Sequence, residues 1–151
     1  MPEATQALEW VTGPVHTGKT TRLAARIAKE AAAYCGILAP VDAEGRRYLV
    51  DILSGERRLL SCGPDEPDAL AVGPYHFREN VFAWARALLA AHHRHYPTRT
   101  LVIDEIGKLE LRGAGLAPAC WGLLRERERS GQACLIVVRE SLIGEVGRAL
   151  R

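Results

Sequence analysis

Apolar and polar positions change period several times along the chain, and each change marks an element. Residues 8–12 read L-E-W-V-T and stop at Gly13, which predicts a short buried strand entering a turn. From Lys19 to Tyr34 the pattern becomes helical. Leu23, Ile27, Ala28 and Ala31 fall on one side, with Arg22, Arg26, Lys29 and Glu30 on the other. Gly36 follows, where a helix C-terminus favours glycine.

Residues 36–61 change in kind. G-I-L-A-P-V, G-R-R-Y-L-V-D-I-L and R-R-L-L-S are strand-like runs separated by Asp42–Gly45 and by Ser54-Gly55-Glu56, and those separators are turn chemistry, so an antiparallel meander is expected. Residues 62–79 hold Gly and Pro repeatedly without a sustained period, which predicts a long surface loop. Asn80 is a suitable N-cap for a helix presenting Val81, Ala85, Leu88, Leu89 and His92, and Pro97 ends it. T-L-V-I-D-E at 100–105 is a continuous apolar run closing on two carboxylates, as in a central parallel strand. A Gly-rich turn at 112–115 precedes a helix from about Leu116 to Ser130. C-L-I-V-V at 134–138 is another buried strand, and 140–151 suits a last helix. Strands alternating with helices predict an α/β fold, a mostly parallel sheet with one antiparallel insert. The expected domain is a single one over 1–151.

Composition narrows this picture little. At 151 residues the chain is long enough to bury about two-thirds of its unfolded surface without a disulfide or metal staple. Twenty basic against eighteen acidic residues leave a net charge of +2, which indicates neither a nucleic-acid nor a membrane-binding field. No run approaches the roughly 20 apolar residues of a membrane span, and the N-terminus lacks a basic segment followed by an apolar core. Cys35, Cys62, Cys120 and Cys134 are far apart, with no C-x-x-C spacing, and read as free, mostly buried thiols of a cytoplasmic protein.

The candidate chemistry is concentrated in two places. Gly13-Pro14-Val15-His16-Thr17-Gly18-Lys19-Thr20 matches G-x-x-x-x-G-K-[ST] at every fixed position. Backbone N–H groups that wrap a phosphate need glycines where the chain approaches closely, and the following helix directs its positive end at the anion. Lys19 is expected to reach the β- and γ-phosphates, Thr20 to ligate Mg²⁺ and Thr21 to touch the α-phosphate. The strand–loop–helix setting is what this loop requires, and it defines the fold as a P-loop three-layer sandwich. At the end of the 100–105 strand, Asp104 can hold Mg²⁺ through water opposite Thr20, and Glu105 can orient the attacking water. Both lie on the edge where doubly wound sheets bind ligands. Arg139, after the 134–138 strand, and Lys108 are further cations that can face the γ-phosphate, though either suits an ordinary surface.

Other clusters read as structure. His92, His93 and His95 sit near a helix C-terminus with no nearby Cys or carboxylate, and metal binding there is disfavoured. Arg125, Arg127 and Arg129 alternate with Glu126 and Glu128, as on a solvated, salt-bridged helix face, with a kinase-type arginine lid as the sharper alternative. Trp10, Trp84 and Trp121 suit the core or its edge. Tyr75, His76 and Phe77, in the 62–79 loop, offer either a stacking surface for a base or ordinary packing.

With these residues in hand, the chain resembles the small P-loop nucleoside-triphosphatases first described in thermophiles, a family that includes the human cancer-related nucleoside-triphosphatase. Thr12-Gly13-Pro14 and Gly18-Lys19-Thr20-Thr21 match its T-G-P and G-K-T-T, and Asp104–Glu110 match its D-E-I-G-K-[ML]-E. Val72-Gly73-Pro74-Tyr75 is similar to its V-G-x-Y, and the 36–61 meander to its insert. The resemblance spans roughly residues 10–148 and implies slow, Mg²⁺-dependent hydrolysis of ATP, GTP and other NTPs to the diphosphate. His16 departs from the glycine usual at that position. Members usually continue past the helix matching 141–151 into a further strand and helix that help hold the base, so a reduced base pocket is expected here.

The expected activity is therefore an Mg²⁺-dependent nucleoside-triphosphatase with Lys19 and Glu105 as its catalytic groups. A nucleotide or nucleoside kinase is the alternative, with its acceptor between the meander and the 62–79 loop. A non-enzymatic adaptor, similar to the molybdopterin-guanine dinucleotide biosynthesis adaptor, is a third. No N-K-x-D motif supports guanine selectivity.

Overall fold

The computed structural model describes residues 7–12 and 18–151. The central sheet has six strands in the order β1-β8-β7-β2-β3-β4. β1 (Leu8–Val11), β8 (Cys134–Val138), β7 (Thr100–Ile106) and β2 (Tyr34–Leu38) run parallel to one another. β3 (Tyr48–Asp51) and β4 (Arg57–Leu59) return antiparallel on the β2 side. The result is an α/β sandwich with a mixed, mostly parallel sheet and an antiparallel two-strand insert.

Side-chain alternation divides the core between the two faces. Leu101, Ile103, Cys134, Ile136 and Val138 pack with α2 (Glu79–His95), α4 (Ala119–Ser130) and α5 (Ile143–Leu150) through Phe82, Leu89, Leu124 and Val146. Val102, Leu135 and Val137 point the other way, onto Leu23 and Ile27 of α1 (Lys19–Lys29). Every residue of β8 is buried, so its unbroken apolar run is the signature of a strand covered on both sides. Among the described residues, no helix is long and apolar enough to cross a membrane.

Several boundaries differ from the sequence pattern. The first helix stops at Lys29, followed by a 3₁₀ turn at Ala31–Ala33, and Tyr34 already belongs to β2. Tyr34 keeps its apolar role from the strand, packing on Leu23 and Ile27, while its hydroxyl accepts a bond from Arg26 Nε at 3.0 Å. Gly36 is therefore not a helix cap but a mid-strand residue with φ 107°. A Cβ there would lie 2.1 Å from the carbonyl oxygen of Val102, so close approach of β2 to β7 is what demands glycine.

The segment read as a loop holds a hairpin instead. β5 (Ala69–Val72) pairs with β6 (Tyr75–Arg78) across Gly73-Pro74, and Gly73 supplies the positive φ of 55° that a two-residue turn wants at its first position. Leu70, Val72 and Phe77 pack against the core. α2 starts at Glu79, with Arg78 rather than Asn80 at the cap position. A single turn, α3 (Lys108–Leu111), follows β7, and α4 begins only after Pro118, because proline disfavours helical backbone at the residue before it.

The arginine-rich face of α4 is also different. Arg127 is 0% exposed and donates to the carbonyls of Arg99 at 2.9 Å, Ala133 at 2.7 Å and Tyr96 at 3.4 Å, and to His93 Nδ1 at 3.1 Å. Arg125 donates to the carbonyls of Ala149 and Leu150. Both donate to backbone carbonyls, because packing α4 against α2 and α5 brings carbonyl lone pairs at the element ends within reach.

His92 has a comparable role in the core. It is 4% exposed; its Nδ1 accepts the Gly36 N–H at 2.8 Å, and its Nε2 faces Asp51 Oδ1 at 3.4 Å. Burial lowers its pKa, Asp51 draws it back up and Arg99 lowers it further. With the folded value below the unfolded one near 6.5, the unfolded chain takes up the proton first. Stability is then full above pH of roughly 6.5 and falls as the pH drops below it.

Two measurements follow from these contacts. Gly36→Ala should cost on the order of 3 kcal/mol through backbone strain and collision with β7, read as a lowered denaturation midpoint; an unchanged midpoint would refute the close approach. The melting temperature should fall between pH 7 and 5, and His92→Asn, which keeps an acceptor for Gly36 but does not titrate, should flatten that decline. An identical pH profile would exclude His92 as its source.

Candidate functional site

The site lies at the C-terminal ends of the parallel strands, and its polar residues meet there because four separate elements end on that edge. α1 starts at Lys19, with Gly18 before it at φ 75°. The Lys19 side chain is buried. In the first turn of α1 the Thr20 hydroxyl donates to Asp104 Oδ2 at 2.9 Å. From the end of β2, the Ala39 N–H donates to the same oxygen at 3.0 Å. One carboxylate oxygen thus ties α1, β7 and β2 together.

The other oxygen is different. Asp104 is fully buried, and among the described residues its Oδ1 has no hydrogen-bond partner. Burial pushes this carboxyl up, while the bonds from Ala39 and Thr20 draw it down; the Glu105 charge adds to the rise and the Arg47 charge to the fall. A buried carboxylate oxygen without a donor is costly unless a cation or an ordered water completes it. Mg²⁺ is a hard ion that takes one or two protein oxygens and keeps several waters, and a hydroxyl beside a half-satisfied carboxylate fits that demand. Among the described residues, no group of three or more His, Cys, Asp and Glu side chains is close enough to hold a metal by itself, which is compatible with an ion completed by phosphate and water.

Glu105 is half-buried and sits at an irregularity. The β7–β8 register shifts between Asp104, opposite Val137, and Ile106, opposite Val138, so Glu105 has no partner on β8. A bulge of this kind re-aims a side chain at a strand end. Asp104 therefore stays in the core while Glu105 lies partly open beside it. Arg139 follows β8 directly and is half-buried, Lys108 is exposed on α3, and Thr21 is exposed on α1. The residues Gly13, Pro14, Val15, His16 and Thr17 lie outside the described ones.

One carboxylate escaped the sequence reading. Glu110 is 4% exposed and accepts the N–H of Gly107 at 2.8 Å and of Leu116 at 2.9 Å, with its pKa raised by burial. It clamps the turn that leaves the Asp104–Glu105 edge, and Gly115 is glycine because a Cβ there would fall 2.1 Å from Glu110 Oε2. The available signal was a Glu three residues after Gly107, the spacing of a helix N-terminal box. The histidines separate into different networks: His92 binds Gly36 and Asp51, and His93 binds Arg127 and Glu126. Tyr75 is 59% exposed and stacks on Phe77 with ring centroids 6.5 Å apart.

The fold is that of an α/β sandwich with its polar edge at the C-terminal ends of the parallel strands. Residues 10–148 match the NTPase family model, and the chain belongs to that family. Among solved structures it is similar to THEP1 from the hyperthermophile Aquifex aeolicus. The TM-score is 0.75 at 19% identity, over 95% of this chain and 83% of that one. That likeness concerns the fold. No curated protein sequence matches the chain.

Asp104→Asn tests the carboxylate. Removing a buried, half-satisfied charge should raise stability by about 1 kcal/mol, roughly 3 °C in Tm, while Mg²⁺ loses its effect on nucleotide binding. A lower Tm would make Asp104 a structural residue.

Proposed function

We propose that this chain is a single-domain, Mg²⁺-dependent nucleoside-triphosphatase that hydrolyses ATP, GTP and other NTPs to the diphosphate and phosphate. Membership of the NTPase family supports hydrolysis in general. The observation that carries the finer reading is the contact of the Thr20 hydroxyl with Asp104, whose second oxygen has no donor among the described residues. Kinship with the human cancer-related nucleoside-triphosphatase rests on the shared D-E-I-G-K run and on the two ends of the phosphate loop. The unpaired thiols suit a reducing compartment, and we assign the work to the cytoplasm.

In this reading Gly13–Thr21 cradle the phosphates, with backbone amides and the N-terminus of α1 directed at them. Lys19 holds the β- and γ-phosphates, and Thr20 and Asp104 hold Mg²⁺, which neutralises charge on the phosphate oxygens when bound. Glu105 accepts a hydrogen bond from the attacking water and aims it at the γ-phosphorus. The new O–P bond forms as the bond to the β-phosphate oxygen breaks, and the water proton leaves toward Glu105 or solvent. Catalysis is then mainly positioning and charge neutralisation. Tyr75 offers an exposed ring against which a base can stack without discrimination.

A phosphate-release assay across the common NTPs with Mg²⁺ tests the reading. Glu105→Gln should keep nucleotide affinity while turnover falls by about 10²- to 10³-fold, and Lys19→Ala should weaken binding itself. Free phosphate that appears only when a nucleoside or nucleotide acceptor is absent, with phosphorylated acceptor when it is present, would make the protein a kinase. Tight binding without turnover would make it an adaptor.

A further inference from the structure

The antiparallel insert brings a cation to the site edge that the sequence pattern did not single out. Arg47 lies just before β3, and its backbone is held firmly. Its N–H donates to Ser61 Oγ at 2.8 Å, and its carbonyl accepts the N–H groups of Leu60 at 2.8 Å and Ser61 at 3.2 Å. Its guanidinium Nη1 donates to the Ala39 carbonyl at 2.8 Å. Ala39 is the residue whose N–H binds Asp104, so the guanidinium is one residue removed from the carboxylate that holds the edge together. The Arg47 charge reaches Asp104 electrostatically, yet the two do not form an ion pair.

Charge balance and position together single out this arginine at the site edge. Arg26, Arg46, Arg58, Arg78 and Arg86 each pair with a carboxylate. Arg47 is half-buried and, among the described residues, makes no salt bridge; its only guanidinium hydrogen bond there is to Ala39. A partly desolvated guanidinium with most of its donors open is matched to phosphate oxygens, which it can bind through two parallel N–H groups. Mg²⁺ leaves a nucleoside triphosphate with excess negative charge, and the Asp104 and Glu105 carboxylates beside it add to that charge, so a further cation besides Lys19 is favourable there.

We infer that Arg47 contacts the terminal phosphate of the bound triphosphate, making the insert a working part of the site; this rests on the hydrolase reading above. The contact distinguishes a triphosphate from a diphosphate, because it addresses charge that only the γ-phosphate carries. An arginine supplied in cis is associated with rate gains of about 10² or more in phosphoryl transfer.

Affinities of the full chain for a non-hydrolysable triphosphate analogue and for the diphosphate, both with Mg²⁺, test this by calorimetry beside thermal melting. Arg47→Gln should weaken triphosphate binding about tenfold, one charge-assisted contact, and leave diphosphate affinity within about twofold. Turnover should fall about 100-fold. A variant with the wild-type preference for triphosphate over diphosphate overturns the inference. So does an equal loss of both affinities together with a lower Tm, which would reduce Arg47 to a support for Ala39. If Arg47→Gln does not fold, Arg47→Lys keeps a donor for the Ala39 carbonyl but not the fork, and the same preference decides: reduced supports the contact, unchanged overturns it. A wild type without Mg²⁺-dependent triphosphate binding would sink the hydrolase reading, whereas wild-type binding with an unaltered preference in the variant sinks only the role of Arg47.

Discussion

A single buried oxygen, Oδ2 of Asp104, accepts from the first turn of α1 and from the end of β2. One donor comes from a helix packed over the sheet and the other from the end of a neighbouring strand, so α1, β7 and β2 have to be placed correctly together for both bonds to form. Each bond offsets part of the desolvation of a charge in the middle of a sheet. Among the described residues the remaining oxygen has no donor, and that residual cost makes sense where a ligand completes the carboxylate. Fold and proposed chemistry thus meet in one side chain.

Around it, the packing depends on polar groups that are buried and bonded rather than on apolar contact alone. Gly36 lets β2 lie against β7, and His92 accepts the amide that this irregular strand leaves over. Glu110 does the same for the turn after Glu105, and Arg127 for three carbonyls at the opposite end of the sheet. Each lies at the end of a strand or helix or at a distortion of one, where the regular ladder is interrupted. Fixed termini matter here because Lys19, Thr20, Asp104, Glu105 and Ala39 all sit at element ends.

Continuous apolar runs and regular periods were readable directly. β1, β7, β8 and most of α2 fall where the pattern put them; for β7 and β8 this is because strands covered on both faces are apolar nearly throughout. The local pairing of Asp104 with Glu105 at a strand end was equally visible. Failures came where a residue's role depends on a distant partner. Gly36 has the look of a helix cap until Val102 is placed beside it. Arg127 has the spacing of a solvated face until Arg99 and Ala133 present their carbonyls. The β5–β6 hairpin was hidden because its turn residues, Gly73 and Pro74, lie among other glycines and prolines that also break a period.

The linear order of residues settled the class of element at most positions, the position of the two chemical motifs and membership of a nucleotide-hydrolysing family, since each of these is local or periodic. Tertiary structure alone decided which polar groups are buried and what they bind. Burial and hydrogen bonding join residues far apart in the chain: Thr20 to Asp104, Gly36 to His92, and Arg47 through Ala39 to the edge of β7. No period in the sequence records such a meeting, because it is fixed by the order and spacing of strands in the sheet.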